Sequence, residues 1–506
     1  MKLKEELKII VLDWPIEENI GVLNPEDAAR NDISINDKLI VEVDGKKFTV
    51  YARISKKVEK GHLLIFKPLA DMVGVKEGDE ASITITDIFE SLTYIRKKMR
   101  GKHLSKDEIY TIINDVVSGK LTEVEIAAFL LSQMFHGMSM SEIEYLTRAM
   151  VETGEVIDFE RVVYDKHSLG GVPGNKVSLL IVPIVAAAGL FIPKTSSKAI
   201  TSPSGTADTM SVLAPVEFTV DELKEVALKA GGCIVWGGSL HLAPADDIFI
   251  NVERKLRIDP ESQMLASIMA KKLAVKANYL VIDIPTGPGT KAPTVKDGRR
   301  LAHLFVELGE RLDMQVQCGI TYGGQPIGHS VGPALEAKEA LEALHGNGPT
   351  SLLEKSTALA GLLLEMGGVA HRGHGKELAY KILNSGKALE KMRKIIEVQG
   401  GDPSIKPEDI PIGEHVIEIR APCDGYVTHV NNSAITAIAR AAGAPKEKGA
   451  GVVTPFKRGH KVNKGDVIMV IHAERATKLQ QAYSLAQKLK PITIEGMLLY
   501  TYPEYV

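Results

Sequence analysis

From about residue 162 to residue 400 the chain alternates strand-like apolar runs with helical ones, among them VSLLIVPIVAAAGL, LFIPKTSS, DELKEVALKAGG, CIVWGG, YLVIDIP and QVQCGIT. That alternation is the pattern of a mostly parallel sheet covered by helices, and in such a sheet ligands are expected at the carboxyl ends of the strands. Glycine-rich loops do follow the strands. The pattern occupies only part of a chain of 506 residues, a length beyond what one hydrophobic core organises, so roughly three domains of about 150 residues are expected.

The flanking regions have their own periods. Up to about residue 86, β-branched runs (LKIIVLD, KLIVEV, KFTVYARI, HLLIFK, ASITITD) alternate with Gly, Asn and Asp turns, as in a small β-barrel. The pieces IGVLNPEDAARNDISINDKLIVEV and ADMVGVKEGDEASITI share a plan of short polar helix, turn and strand. From about residue 100 the period is helical. Ser105 with Glu108, Thr122 with Glu125 and Ser141 with Glu144 fit capping boxes, and Gly119, Gly137 and Gly154 stand where helices should stop. Met134, His136 and Met138 on this helical stretch read as core or interface packing. GGDPSIKPEDIP, from residue 400, reads as a linker. IEIRAPCDGYVTHV and KVNKGDVIMVIHAE then look like the two halves of a biotinyl-like sandwich, with DG and KGD hairpin turns. No lysine sits in an attachment motif.

Composition excludes several partners. With 61 basic against 64 acidic residues and no block of like charge, neither nucleic acid nor a membrane surface is an expected partner. The three cysteines, Cys233, Cys318 and Cys423, lie too far apart for a CxxC pair, which fits a reducing compartment. Charge and proline interrupt the first twenty residues, and no apolar run reaches about 18 residues. A cytoplasmic, soluble protein is expected.

The stretch DKHSLGGVPGNKVSLL, residues 165 to 180, carries a cation, hydroxyl and imidazole groups and three glycines before an apolar run. Counting from Gly170 or Gly171 puts Asn175 or Lys176 where a Walker A loop needs glycine, and G-x-G-x-x-G is absent. What remains is either a tight structural turn or a loop whose backbone N–H groups approach an anion, opening into a helix near Asn175, with Lys166 and Ser168 adding a cation and a donor. A second run, KTSSKAITSPSGTADTM, is crowded with hydroxyls and has Gly205, Thr206 and Asp208 before a helical pattern. It fits a phosphate cradle or a polar surface loop.

The first stretch is similar to the DKHS-T-GG-V-GDKVSL motif of the thymidine and pyrimidine-nucleoside phosphorylase family. SSKAITSPSGTAD occupies the place of that family's S-G-R-G-x-x-x-T-G-G-T-x-D signature, and SIMAKKLA resembles S-I-L-S-K-K. The resemblance runs from about residue 88 to 506. The extra N-terminal barrel and the variant motifs resemble the archaeal AMP phosphorylases within that family. The implied fold is multi-domain α/β: a helical domain (87–160 with about 245–275) and a mostly parallel α/β domain (161–244 with about 276–405) of nucleoside phosphorylase type. A double-psi-like β-barrel (1–86) precedes them and a biotinyl-like α+β domain (406–506) follows.

Departures from the family matter. Leu169 replaces a threonine and Pro173 is inserted; Ser197 to Ser202 replace a glycine-and-arginine sequence. The aromatic-x-x-Arg element that grips a pyrimidine becomes Phe249, Ile250, Asn251 and Val252, which removes a guanidinium fork and implies a different or broader choice of base. Lys291, in GPGTKAPT, replaces an apolar residue and suits a 5′-phosphate.

The resemblance implies phosphorolysis of AMP, with CMP and UMP as further substrates, to free base and ribose 1,5-bisphosphate. It implies AMP and inorganic phosphate as ligands, no cofactor, no metal, and a homo-oligomer, dimer or larger. Lys166, Ser168, Ser196 and Thr206 are implied for phosphate. Gly171, Ser197, Lys198, Ala199, Ile200, Thr201, Ser202, Thr206, Ser267 and Lys291 are implied for AMP, with Lys271 beside Ser267 on the base side. Asp259, in RKLRIDPESQ, is implied as the general acid at the adenine N7, although Asp259-Pro260-Glu261 also reads as a helix cap. A carboxyl in that role must be kept protonated by burial or a like charge. Phosphate dianion needs no base, so His167 has at most a hydrogen-bonding role. Two rivals stand beside this reading: an anthranilate-type phosphoribosyltransferase, for which only Asp246-Asp247 offers paired carboxylates, and a non-catalytic scaffold.

Overall fold

In the computed structural model, the alternating runs of the first region close a barrel of six strands: β1 (Glu6–Leu12), β2 (Ile20–Leu23), β3 (Lys38–Val43), β4 (Lys46–Ile54), β5 (His62–Phe66) and β6 (Glu80–Ile85). Their order is β1-β5-β2-β4-β3-β6. The structure describes residues 6–16, 18–85, 90–199 and 202–498. The expected boundary at 86–87, and Ile200 and Thr201, lie outside the described residues. The two similar pieces of sequence each give a helix and then a strand, α1 (Pro25–Arg30) before β3 and α2 (Lys67–Val73) before β6. β1 with β5 and β2 with β4 pair parallel, and every other neighbouring pair is antiparallel. Strict alternation turns Leu39, Val41 and Val43 inward, and closure leaves no free strand edge.

The chain divides into two units, Met1–Glu155 with Ala243–Ala270, and Val156–Leu242 with Lys271–Val506. In the first, the barrel is fastened to the helical segment: the buried Thr49 donates its hydroxyl to the Lys120 carbonyl at 2.7 Å and its N–H to the Gly119 carbonyl at 3.2 Å. The helices are α3 (Glu90–Met99), α4 (Lys106–Val117), α5 (Glu123–His136) and α6 (Met140–Glu152). Ser105 with Glu108 and Thr122 with Glu125 form the expected capping boxes. The third box is Ser139 with Glu142, two residues before the expected Ser141 and Glu144. Both pairs have the right spacing, and burial decides between them. Glu142 is 1% exposed and accepts from Lys98 at 2.8 Å, from the Leu104 N–H at 2.9 Å and from His103 Nδ1 at 2.9 Å. Burial pushes its carboxyl up, but these bonds outweigh it and bring it down to about 2. Met134 is exposed rather than core, as is its neighbour Phe135.

The second unit holds the parallel strands. β7 (Tyr164–Ser168), β10 (Tyr279–Thr286) and β11 (Gln315–Tyr322) form one sheet in the order β11-β10-β7, and β8 (Ile192–Ser196) pairs with β9 (Gly232–Trp236) in another. All of these pairings are parallel. The Tyr164 N–H donates to the Phe191 carbonyl at 2.9 Å where the two sheets adjoin. VSLLIVPIVAAAGL supplies α7 (Ser178–Ala187), buried from Ser178 to Ala186, because a helix apolar all round has no face to offer water. The other helices of this unit are α8 (Thr206–Met210), α9 (Val220–Ala230), α12 (Val295–Arg311), α13 (Pro333–Leu344), α14 (Thr350–Met366), α15 (Gly375–Asn384) and α16 (Lys387–Val398). α10 (Pro244–Leu256) belongs to the first unit, and α11 (Glu261–Ala274) begins there and ends in the second.

The remaining elements are β12 (Ser330–Val331), β13 (His415–Arg420), β14 (Gly425–Val430), α17 (Asn432–Ala442), β15 (Gly451–Val453), β16 (Lys461–Val462), β17 (Val467–Ala473), α18 (Ala476–Leu489) and β18 (Ile492–Glu495). They make two sheets, β12-β15-β17-β13 and β16-β14-β18. The DG and KGD turns are not hairpins. β13 pairs with β17 and β14 with β16, so each turn carries the chain from one sheet to the other. The turns clasp one another, the Lys464 N–H donating to the Asp424 carboxylate at 2.7 Å. The first sheet takes β12 from the α/β region. Among the described residues no helix is long and apolar enough to cross a membrane.

Candidate active site

Ser168 ends β7, and the parallel register sets it opposite Asp283 of β10. Asp283 is fully buried in the apolar strand YLVIDIP, and its carboxylate gathers three groups. It accepts the Ser168 hydroxyl at 2.7 Å and the Thr321 hydroxyl at 2.6 Å, and the Lys355 ammonium of α14 lies at 2.9 Å. The Lys166 ammonium donates in turn to Ser168 Oγ, and it lies 3.4 Å from the hydroxyl of Ser178, the first residue of α7. Burial pushes the Asp283 carboxyl up; Lys355, Lys166 and the two hydroxyls more than offset this and hold it below its ordinary range.

The other end of β7 faces a second buried carboxylate. Asp165 receives the Lys272 ammonium at 2.6 Å and the backbone N–H of Lys166 at 2.7 Å, with Lys194 of β8 at 3.9 Å. Lys272 also reaches the Thr195 carbonyl at 3.4 Å, tying β7, β8 and the end of α11 together. Among the described residues, Lys166, Lys194, Lys272 and Lys355 are therefore buried around two carboxylates, Asp165 and Asp283. Such an excess of cation in a low-dielectric interior is costly without an anion. Its cost is visible: burial and then the neighbouring lysines bring Lys166 down to about 7, its nearby carboxylates notwithstanding, and hold Lys194 well below its ordinary value. Burial and the same lysines hold the His167 imidazole well below its ordinary value, which makes it a poor proton acceptor.

Around this centre stand the loops. Gly171 has φ +104°, and a Cβ on it would fall 2.9 Å from Thr290 Cα and 3.0 Å from the Gly289 carbonyl oxygen. A side chain there would separate two stacked loops, one of which carries Lys291. α7 starts at Ser178 rather than near Asn175. Gly174, at φ +73°, turns the chain once more, and the Lys176 side chain is drawn inward before the helix can begin. Leu169 is buried, with its N–H on the Asp283 carbonyl at 2.9 Å, so it anchors the loop where the relatives' threonine would have offered a hydroxyl. The hydroxyl-rich run is stapled by Asp208, which accepts the Ala199 N–H at 2.6 Å and the Gly205 N–H at 2.9 Å. Ser196 closes β8, Ser197 is exposed, and Thr206 opens α8. Lys198 lies over the Trp236 ring at 3.8 Å, and Ser202 bonds the Ser204 carbonyl at 3.1 Å.

On the first unit, Ser267 of α11 donates to the buried Asp246 at 2.8 Å. Asp259 is exposed in the connection between α10 and α11, not buried as a carboxyl kept neutral by desolvation would be. Phe249 and Val252, which stand where relatives grip a pyrimidine, are core residues, Phe249 packing on Phe129 at 6.0 Å between centroids.

Sequence reasoning missed Asp283, Lys355, Lys194, Lys272, Asp165 and Ser178. The available signal was charge inside apolar strands, one aspartate in YLVIDIP and one lysine in LFIPKTSS.

A helical bundle and a parallel α/β domain are the two parts of the glycosyl transferase family that this chain matches. Family models match accordingly: glycosyl transferase family, helical bundle domain, at 92–154; glycosyl transferase family, a/b domain, at 160–389; and pyrimidine nucleoside phosphorylase C-terminal domain at 426–493. In fold the chain is similar to anthranilate phosphoribosyltransferase from Thermus thermophilus, with TM-score 0.52 and 20% identity over 60% of this chain and 99% of that one. Among curated proteins it is 53% identical to AMP phosphorylase from Thermococcus kodakarensis and 53% to that from Pyrococcus furiosus, in each case over 97% of this chain and 98% of the relative. It is 51% identical, over the same shares, to AMP phosphorylase from Methanocaldococcus jannaschii. The chain belongs to the AMP phosphorylase family.

Proposed function

We propose that the buried lysine centre holds inorganic phosphate for attack on C1′ of AMP, so that the C1′–N9 bond breaks, a C1′–O bond forms, and adenine and ribose 1,5-bisphosphate are released. The observation that carries this reading is the excess of buried ammonium over carboxylate at the ends of β7, β8 and β10, a charge that a phosphate dianion would balance. The chain is an enzyme, a pentosyltransferase. Lys166, Ser168, Ser196 and Thr206 contact phosphate, and Ser178 joins them because its hydroxyl stands beside Lys166 at the start of a helix. Gly171, residues 197 to 202, Thr206, Ser267 and Lys291 contact the nucleotide, with Lys291 on its 5′-phosphate. Asp259 protonates N7 so that adenine leaves neutral.

The Ser267 proton is committed to Asp246, so its free lone pairs accept. That suits the exocyclic amino group of adenine or cytosine. CMP is therefore a better second substrate than UMP, which offers a carbonyl. The exposed Val124, Met134 and Phe135 of α5 form the face by which copies associate. The test of the reaction is adenine release from AMP, expected to depend strictly on added phosphate and to ignore EDTA. Phosphate-independent release, or none with any nucleoside monophosphate, would sink it.

A further inference from the structure

The far end of the phosphate loop is fastened to residues 325–331, a strap that follows β11. A Cβ on Gly174 would fall 2.7 Å from the Ser330 carbonyl oxygen and 2.8 Å from that of Ile327, so loop and strap touch backbone to backbone. The Ile327 N–H donates to the Pro173 carbonyl at 3.2 Å. Lys176, 1% exposed, donates to the carbonyls of Ile327 and Ser330, each at 3.0 Å, and to the Glu339 carboxylate of α13. Glu339 also accepts the His329 N–H at 2.8 Å and the Ser330 hydroxyl at 3.3 Å.

The same strap is held from its other side by the C-terminal domain. Ser330 and Val331 pair with Val453 and Val452. The Thr454 N–H donates to the His329 carbonyl at 2.9 Å, and the Arg458 N–H to the Gln325 side-chain oxygen at 2.9 Å. The buried Lys457 ammonium donates to the Pro326 carbonyl at 3.2 Å. None of these groups is among those assigned to phosphate or AMP, yet between them they hold Gln325, Pro326, His329, Ser330 and Val331 of a strap to which the loop is bonded.

We propose that the C-terminal domain sets the position of the phosphate loop, with Lys176 and Lys457 as positioning residues that act through the strap. The inference rests on the phosphorolysis reading, whose phosphate half it concerns. Removing Lys176 leaves the Glu339 carboxylate buried without its cation and frees the stretch Pro173 to Lys176 to shift. Removing Lys457 loosens the strap itself, one step further from the ligand. Displacements well under an ångström at such supports are felt at a site that must hold its nucleophile in line.

The test uses the full-length chain with Lys176→Met and Lys457→Met, measuring adenine release against phosphate at saturating AMP and against AMP at saturating phosphate. The phosphate KM is expected to rise about 2- to 30-fold in each, while the AMP KM stays within about twofold. A lower melting midpoint with both KM values unchanged would reduce the network to scaffolding and overturn the proposal. In wild type, hydrogen exchange with and without phosphate provides a second test that no folding failure can remove. Bound phosphate should slow exchange in residues 325–331 as well as in 169–177, and protection confined to the loop refutes the coupling. Wild type inactive with phosphate sinks the phosphorolysis reading instead; the exchange measurement needs only bound phosphate.

Discussion

Lys166→Met should stabilise the protein in phosphate-free buffer while abolishing its response to phosphate. Burial, then the neighbouring Lys355 and Lys272, lower the Lys166 ammonium from the ordinary 10.5 to about 7. Its pKa is depressed on folding, so the sign is unfavourable. Below pH 7 the folded state carries the full cost of the buried charge; between 7 and 10.5 the cost shrinks as the proton is shed; above 10.5 it is gone. At 1.36 kcal/mol for each tenfold change, the drop amounts to about 5 kcal/mol at pH 6 and about 3 kcal/mol at pH 8. Methionine avoids that cost. It forfeits the bond to Ser168, worth about 1 kcal/mol, and leaves Asp283 with one cation fewer. A net gain of about 2 to 4 kcal/mol at pH 6 follows, smaller at pH 8. Thermal melting at both pH values, with and without phosphate, reads it out. Wild type should gain about 2.7 kcal/mol at a hundredfold excess of phosphate over its Kd, the variant nothing. A variant that melts below wild type at pH 6 and still shifts with phosphate would show that Lys166 is neither strained nor a phosphate ligand.

Asp259→Asn should lower turnover by about 10²- to 10⁴-fold with AMP binding by calorimetry largely intact; wild-type turnover would remove Asp259 from the mechanism. Lys291→Ala should raise the AMP KM about 10- to 100-fold and leave any activity on adenosine unchanged, so the preference for nucleotide over nucleoside should collapse; an undiminished preference would place the 5′-phosphate elsewhere. The phosphate KM should climb above pH 7, by about tenfold per pH unit, as Lys166 sheds its proton. A flat profile from pH 6 to 9 would detach phosphate binding from that ammonium.

Much of this architecture is legible in the sequence because it depends on period. The β-branched alternation of the barrel, the Ser105 and Thr122 capping boxes and the strand-helix alternation each declare themselves locally. What stayed hidden depends on register between distant segments. Nothing in YLVIDIP says that its aspartate meets a serine at the end of DKHS; the parallel pairing of β10 with β7 decides that. Lys176 reads as one more loop cation until residues 327 and 330 supply the carbonyls that bury it. The capping box at Ser139 and Glu142 escaped for the same reason, since Lys98 and His103 reach Glu142 from elsewhere in the chain.

The C-terminal sheet borrows β12 from the middle of the chain, and this bears on the order in which the protein can become active. Domains tend to form as they leave the ribosome, amino-terminal parts first. Here the glycine loop after β7 is made early, but β15 and residues 454–458, which hold the strap beneath it, are made late. By the coupling proposed above, the loop after β7 is therefore fixed only once the C-terminal domain is made. A nascent chain that has not yet made residues 451–458 leaves the strap without those partners, and the C-terminal domain cannot be exchanged between homologues as a detachable module unless residues 325–331 travel with it.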